Sequence, residues 1–407
     1  MKEKRSIREF HDVILTNKWA AFPIFLFILF VVFECTFILG AYPQRWIDSL
    51  VTLLKNWLWV KMNGGWFCEM IVNGIIGGMG SLLTFLPNFL ILYFFIELLD
   101  HSGYMARMAY VNDGFMRSIG LNGYSFIPMV MGFGCNVPAV MACSTIPNKK
   151  NRIITTLVLP FMSCSGRLPV YMIIIGAFFA QKGGLVLLGI YVLGIIVSII
   201  TAKIISLFIT DDTEHHRPEL PPLVIPHIGM ALKHTWEKCL EYLRNVATTI
   251  LVSSVVIWAL GYFPNQNKYE DYRQKQEHSF LGMIGNAVEP ALRPMGFDWK
   301  MNVGILSGIC AKELTVSTMG VLYSNEEVSA DSEENSTSLQ AALAQTTTPA
   351  TGIAFMVFVL LYFPCIATFV TIRKASGWKW AIITAIYSVI IAWVLSFAAF
   401  SLFNAIL

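Results

Sequence analysis

The sequence predicts an all-α polytopic membrane protein with about seven transmembrane helices. Three observations carry that expectation. Only 14% of the 407 residues are charged, where a soluble protein carries about a quarter. Mean hydropathy is +0.61. Several apolar runs approach the roughly 20 residues needed to cross a hydrocarbon core. The net charge of +3 is small and points to no nucleic-acid partner. Lipid is the surrounding these numbers imply.

The elements follow in order. Residues 1–21 are a polar lead with Lys2, Lys4, Arg5, Arg8 and Lys18. The first span is expected at 22–41. It is too long for a removable signal peptide and lacks a small-residue cleavage pattern. Residues 48–62 are amphipathic and Trp-rich, which suits a helix in the membrane interface. The stretch 66–84 holds Gly74, Gly77, Gly78 and Gly80 and reads as re-entrant or closely packed. Further spans are expected at 85–101, 153–178, 185–209, 246–263, 352–371 and 379–400. Two apolar but interrupted segments, 125–146 and 302–323, read as re-entrant.

Charge gives an orientation. The lead, the turn Lys149-Lys150-Asn151-Arg152, and Arg373-Lys374 with Lys379 are basic and expected in the cytoplasm, together with the long loop 210–244. The segment 324–349 has Glu326, Glu327, Asp331, Glu333 and Glu334 and no Lys or Arg, so it is expected outside. The expected organisation is a cytoplasmic lead (1–21), a first transmembrane half (22–209), a cytoplasmic loop (210–244) and a second half (245–407) carrying the external acidic insertion 324–349.

Each half contains two helix breaks marked by a cysteine. Cys135 and Cys164 are 29 residues apart; Cys310 and Cys365 are 55 apart, with the 26-residue insertion 324–349 between them. The link in the first half is basic and the link in the second acidic. Opposite charge at corresponding links is what an inverted-topology repeat produces, with its site between the halves. The alternative is coincidence among common apolar sequences.

The breaks carry the chemistry. Gly132-Phe133-Gly134-Cys135-Asn136 lets the backbone leave the helix, and a thiolate beside freed carbonyls binds soft or borderline cations. Asn136 would add an oxygen ligand or hold the break together. Met162-Ser163-Cys164-Ser165 precedes Arg167, which would anchor carbonyls or snorkel to the interface, since charge at depth is expensive. The second half offers Cys310, Lys312, Glu313 and Cys365. Glu313 is a candidate cation carrier, and the Lys312–Glu313 pair is alternatively a lid. Glu97 and Asp100 share a helical face and would receive a cation leaving the path, or simply be solvated. His101, His215, His216 and His227 lie in or beside loops. In isolation, each of these features is more often a packing thiol, a capped helix end or a solvated face.

Absences narrow the classes. There is no GxxxxGK[ST] loop, so no nucleotide hydrolysis by that route is expected. HExxH and GxSxG are also missing, against several membrane hydrolases. The eight cysteines include no CxxC pair, against a disulfide framework. A cysteine-nucleophile enzyme would need a base beside its thiol, and neither gate break of the first half holds a histidine. A carrier of organic solutes such as nucleosides remains the other class.

Together Ser102-Gly103-Tyr104-Met105-Ala106-Arg107, Gly132 to Ala139, Pro160 to Tyr171, Ala311-Lys312-Glu313 and Tyr362-Phe363-Pro364-Cys365 resemble the membrane domain of the ferrous iron transport protein B (FeoB) family over nearly the whole chain. The resemblance implies a bacterial inner-membrane Fe²⁺ uptake permease, not an enzyme, with no permanently bound cofactor. Its metal path would carry over to Cys135 and Cys164, and after them to Cys310 and Cys365; the residues' own chemistry adds Ser163, Asn136 and Glu313 as candidate ligands and Arg167, Lys312, Glu97 and Asp100 as candidate gating or exit groups. Mn²⁺ and Zn²⁺ stay open as cargo. The implied partners are a GTPase on another chain, a small FeoA-like protein and further copies in a homo-oligomer. Departures stand at Asp100-His101, where the family has an acidic pair, at Cys143-Ser144-Thr145, where it has an Arg, and at Cys164-Ser165-Gly166-Arg167, where it has Cys-Gly-Ala-Arg.

Overall fold

The computed structural model describes residues 18–62, 65–209, 224, 226–264, 272–324 and 333–406. The lead residues Lys2, Lys4, Arg5 and Arg8, the pair His215-His216, and the acidic residues Glu326, Glu327 and Asp331 lie outside the described residues. Every regular element described is helical.

Among the described residues, seven helices are long and apolar enough to cross a membrane: Ala20–Lys61, Trp66–His101, Lys149–Phe178, Ala180–Phe208, Ile228–Tyr262, Pro349–Ser376 and Trp378–Ala405. Each expected span falls on one of them. Their outward residues, such as Phe27, Phe30, Leu188, Ile196, Ile386 and Val394, are exposed, as lipid-facing apolar side chains must be.

Three stretches differ from expectation. Lys18–Lys61 is one continuous helix, α1, through Pro23 and Pro43, so residues 48–61 prolong the first span. The stretch 66–84 is not re-entrant. It comprises α2 (Trp66–Glu69), a π-helical segment (Met70–Ile76) and the start of α3 (Gly77–His101). Its glycines serve the other expected purpose, close packing. A Cβ on Gly78 would fall on the Ser254 side chain, and one on Gly74 would touch Trp258 at 3.4 Å. Ser254 Oγ donates to Gly74 O at 2.8 Å. Finally, residues 228–244 of the expected cytoplasmic loop are already helical, the start of α10 (Ile228–Tyr262).

The chain continues as α4 (Tyr104–Ser118), α5 (Phe126–Met131), α6 (Asn136–Ala142), α7 (Lys149–Val158), α8 (Leu168–Phe178), α9 (Gly183–Phe208) and α10 (Ile228–Tyr262). Then follow α11 (Tyr272–Glu277), α12 (Phe280–Leu292), α13 (Trp299–Cys310), α14 (Leu314–Ser324), α15 (Glu333–Thr346), α16 (Pro349–Leu361), α17 (Ile366–Ser376) and α18 (Trp378–Ile406).

These elements form two compact units, one of residues 1–58, 79–159 and 198–248, the other of 59–78, 160–197 and 249–407. In the first, Ala21 and Phe25 of α1 pack with Tyr104 and Met108 of α4. Phe89 of α3 stacks on Tyr242 of α10 at 4.6 Å. Gly103, at φ 76°, takes the left-handed turn between α3 and α4 that a side chain would strain.

The second unit is built around α16, whose residues 350–361 are all buried. A helix apolar on every face belongs inside other helices. Phe297 meets Phe355 and Phe358 edge-on at 5.5 and 5.7 Å, and Ser396 Oγ of α18 donates to Ala354 O of α16 at 2.7 Å.

Candidate functional site

Four breaks interrupt the helices near the cysteines, three of them where a glycine or proline stands. They lie between α5 and α6 (132–135), α7 and α8 (159–167), α13 and α14 (311–313), and α16 and α17 (362–365). Freed backbone at membrane depth must be satisfied by the protein or by a water path.

In the first unit, Cys135 adopts extended backbone (φ −153°, ψ 132°) directly before α6. A Cβ on Gly134 would stand 2.8 Å from Leu92 Cδ2 and 3.2 Å from Phe33 Cε1, so only glycine lets the break approach α3 and α1. Asn136 is buried. With the amide assigned from its surroundings, so that its nitrogen faces the two carbonyls, it donates to Leu159 O at 3.1 Å and Gly132 O at 3.2 Å. That side chain ties the unwound backbone to the end of α7.

The second unit gathers the other three cysteines. Cys164 and Cys365 each occupy the residue before a helical turn, with ψ 160° and 153°. Cys310 instead ends α13. Cys164 lies within electrostatic range of Arg167, Cys365, Glu313 and Lys312, and Cys310 within range of Cys365. Cys365 Sγ is 3.1 Å from Thr368 Oγ1. All three thiols and Glu313 are half-buried.

Two cations hold the freed carbonyls. Arg167, 1% exposed, donates through Nη1 to Met162 O and through Nη2 to Pro160 O, both at 2.9 Å. Lys312 donates to Phe363 O at 2.8 Å, and its Nζ sits 3.3 Å from the centroid of the Tyr362 ring. Each unmet carbonyl would cost roughly 1–3 kcal/mol, so these side chains make the breaks affordable in an apolar surrounding. Neither cation therefore snorkels. Ser163 Oγ donates to the Tyr171 hydroxyl at 3.3 Å. The Glu313 carboxylate lies against Gly166, where a Cβ would come 2.7 Å from its Oε1.

The sequence expectations divide accordingly. Ser163, Cys164, Arg167, Cys310, Lys312, Glu313 and Cys365 are brought into one unit, while Cys135 and Asn136 stand in the other. Glu97 and Asp100 lie at the end of α3 and in none of the four breaks, and Asp100 is exposed. Among the described residues, one group of three His, Cys, Asp or Glu brings its ligand atoms within 4.8 Å of one another: Glu97, His101 and His234. His234 escaped the sequence reading, because nothing local distinguishes it from a surface histidine. Tyr171 and Tyr362 were missed too, being signalled only as aromatics beside the breaks.

Residues 82–178 and 243–379 match the family model described as "Nucleoside recognition", the gate. Residues 187–238 match the model of the ferrous iron transport protein B C terminus. The chain belongs to the ferrous iron transport protein B family. It is 43% identical, over 97% of its length and 51% of the relative's, to an Fe(2+) transport protein A/Fe(2+) transporter FeoB fusion protein of Porphyromonas gingivalis. An Fe(2+) transporter FeoB of Campylobacter jejuni is 38% identical over 92% of this chain and 62% of its own. One from Methanocaldococcus jannaschii is 35% identical over 97% and 58%. This FeoB-family chain thus spans about half to three-fifths of the curated relatives it matches, and it is a multi-pass inner-membrane protein. No solved structure matches it.

Proposed function

We propose that this chain is the Fe²⁺-conducting membrane part of a ferrous-iron uptake system of the bacterial inner membrane. The observation that supports the reading is that Cys365 and Glu313 lie within electrostatic range of Cys164, beside helix breaks whose carbonyls are held by Arg167 and Lys312. The gate model's printed description speaks of nucleosides, but relatives matched across the same segments are named Fe(2+) transporters.

The chemistry follows from the donor set. Thiolate suits Fe²⁺ and, more tightly, Zn²⁺. The Arg167 guanidinium stands within range of Cys164, so a dication gains little from the patch until a thiol gives up its proton. Metal entry is then coupled to proton release. Cys135 provides a second thiol station, with Asn136 holding its break open. Energy would come from a GTPase outside this sequence, because no phosphate-binding loop is present, and an FeoA-like partner is in keeping with the fused relative.

The test is anaerobic Fe²⁺ binding and proteoliposome uptake by wild type and by Cys135→Ser, Cys164→Ser. Binding lost in the double variant, with its thermal midpoint retained, is the expected outcome. Equal binding in both proteins would sink the thiol path. Tighter competition by Mn²⁺ or Zn²⁺ would reassign the cargo, and stabilisation by nucleosides with indifference to Fe²⁺ would replace the reading altogether.

A further inference from the structure

We propose that Glu97, His101 and His234 form a separate, exchangeable site for a divalent first-row transition metal. It needs no thiol, and it stands or falls apart from the thiol path.

Glu97 and His101 are one turn apart at the end of α3 and so share a face. This i, i+4 spacing is the one by which helical side chains grip a common metal. His101 Nε2 lies 3.5 Å from Glu97 Oε2. His234, in the second turn of α10, supplies the third donor. Its ring meets that of His101 edge-on, with centroids 5.4 Å apart and planes at 80°, and all three ligand atoms lie within 4.8 Å of one another. Donors on a common metal at bond lengths of about 2.0–2.2 Å stand roughly 3–4 Å apart. The Glu97–His101 pair already meets that spacing, and a modest rotation of His234 completes it.

The donor set selects the ligand. Two imidazoles and a carboxylate with open positions suit Fe²⁺, Zn²⁺ and their neighbours, and are unsuited to Mg²⁺ or Ca²⁺. Asp100 adds negative charge within range of Glu97. Lys238 is the nearby cation that would compete for Glu97, but its Nζ is occupied by Glu241 Oε2 at 3.2 Å. Glu97 and His101 are half-buried and His234 is exposed. One side of the site is therefore open to water, which makes the metal easy to load and release.

The experiment is an anaerobic Co²⁺ titration of the full chain in detergent, followed by absorption. Cobalt on nitrogen and oxygen gives ligand-field bands without the sulfur charge-transfer band of a thiolate site, so the two sites are read independently. We expect one nitrogen- and oxygen-type Co²⁺ per chain, weakened by more than about tenfold in His234→Ala and in His101→Ala and reduced in Glu97→Gln. His234→Ala alters an exposed side chain, so an unchanged thermal midpoint shows that it folds. Wild-type affinity in both histidine variants, or a wild type lacking the nitrogen- and oxygen-type signal, would overturn the site. Loss of the thiolate band alone would count only against the Fe²⁺ path.

Discussion

Asn136→Asp separates two roles that a polar side chain beside a thiol can play, because they respond with opposite sign. A metal ligand gains from the change, since a carboxylate binds a dication better than an amide does. A staple loses. Here the amide nitrogen donates to Leu159 O and Gly132 O, at 3.1 and 3.2 Å, from a residue only 5% exposed. Asp keeps the shape and removes both donors, leaving two carbonyls facing a carboxylate oxygen. At about 1–3 kcal/mol for each buried group left unmet, the loss is about 2–6 kcal/mol. That is a large part of the roughly 5–15 kcal/mol that holds a domain together. Tryptophan fluorescence during heating in detergent reads the change, and Fe²⁺ binding on the same samples reads the ligand role. A thermal midpoint well below wild type is expected. A variant as stable as wild type that binds Fe²⁺ more tightly would refute the staple and make Asn136 a ligand.

Two further outcomes are expected. Lys312→Met removes a charged hydrogen bond to Phe363 O worth about 1.5–3 kcal/mol and a cation–π contact worth about 0.5–2 kcal/mol, so its thermal midpoint should fall while Lys312→Arg falls less; equal midpoints for wild type and Met would show that Phe363 O finds another donor. Gly166→Ala would place a Cβ 2.7 Å from Glu313 Oε1 and 3.3 Å from its Cδ, so proteoliposome Fe²⁺ uptake should drop at a nearly unchanged midpoint. Uptake equal to wild type would remove Glu313 from the path.

What the sequence revealed is what is locally encoded. Apolar runs announced the spans, and Gly132, Gly134, Pro160, Gly166 and Pro364 announced the breaks, since each acts on its own neighbourhood of the backbone. The continuity of α1 was hidden because composition changes at Tyr42-Pro43-Gln44-Arg45 while the backbone does not, Pro43 being accommodated within the helix. The glycines of 66–84 were ambiguous because a glycine serves bending and close packing alike; Ser254 and Trp258 resolve them, from a helix far along the chain. By spacing Cys310 is the counterpart of Cys135, yet Cys135 precedes a helix and Cys310 ends one. Lys312 with Phe363 O, and His101 with His234, are pairings made by the fold, and no local pattern encodes them.

The length of α1 has a mechanical consequence. Its 44 residues extend about 66 Å at 1.5 Å per residue, roughly twice the 30 Å hydrocarbon core. Upright, it would overhang the apolar layer by about half its length, and inclined, it trades overhang for tilt. A rod of this size is a lever: pivoting it by about 5° at its Lys18 end sweeps the Lys61 end through about 6 Å. Bilayer thickness thereby becomes an input to this protein. A spin label near Lys61 would register a change from thin to thick lipid as a displacement many times larger than any local rearrangement at the pivot.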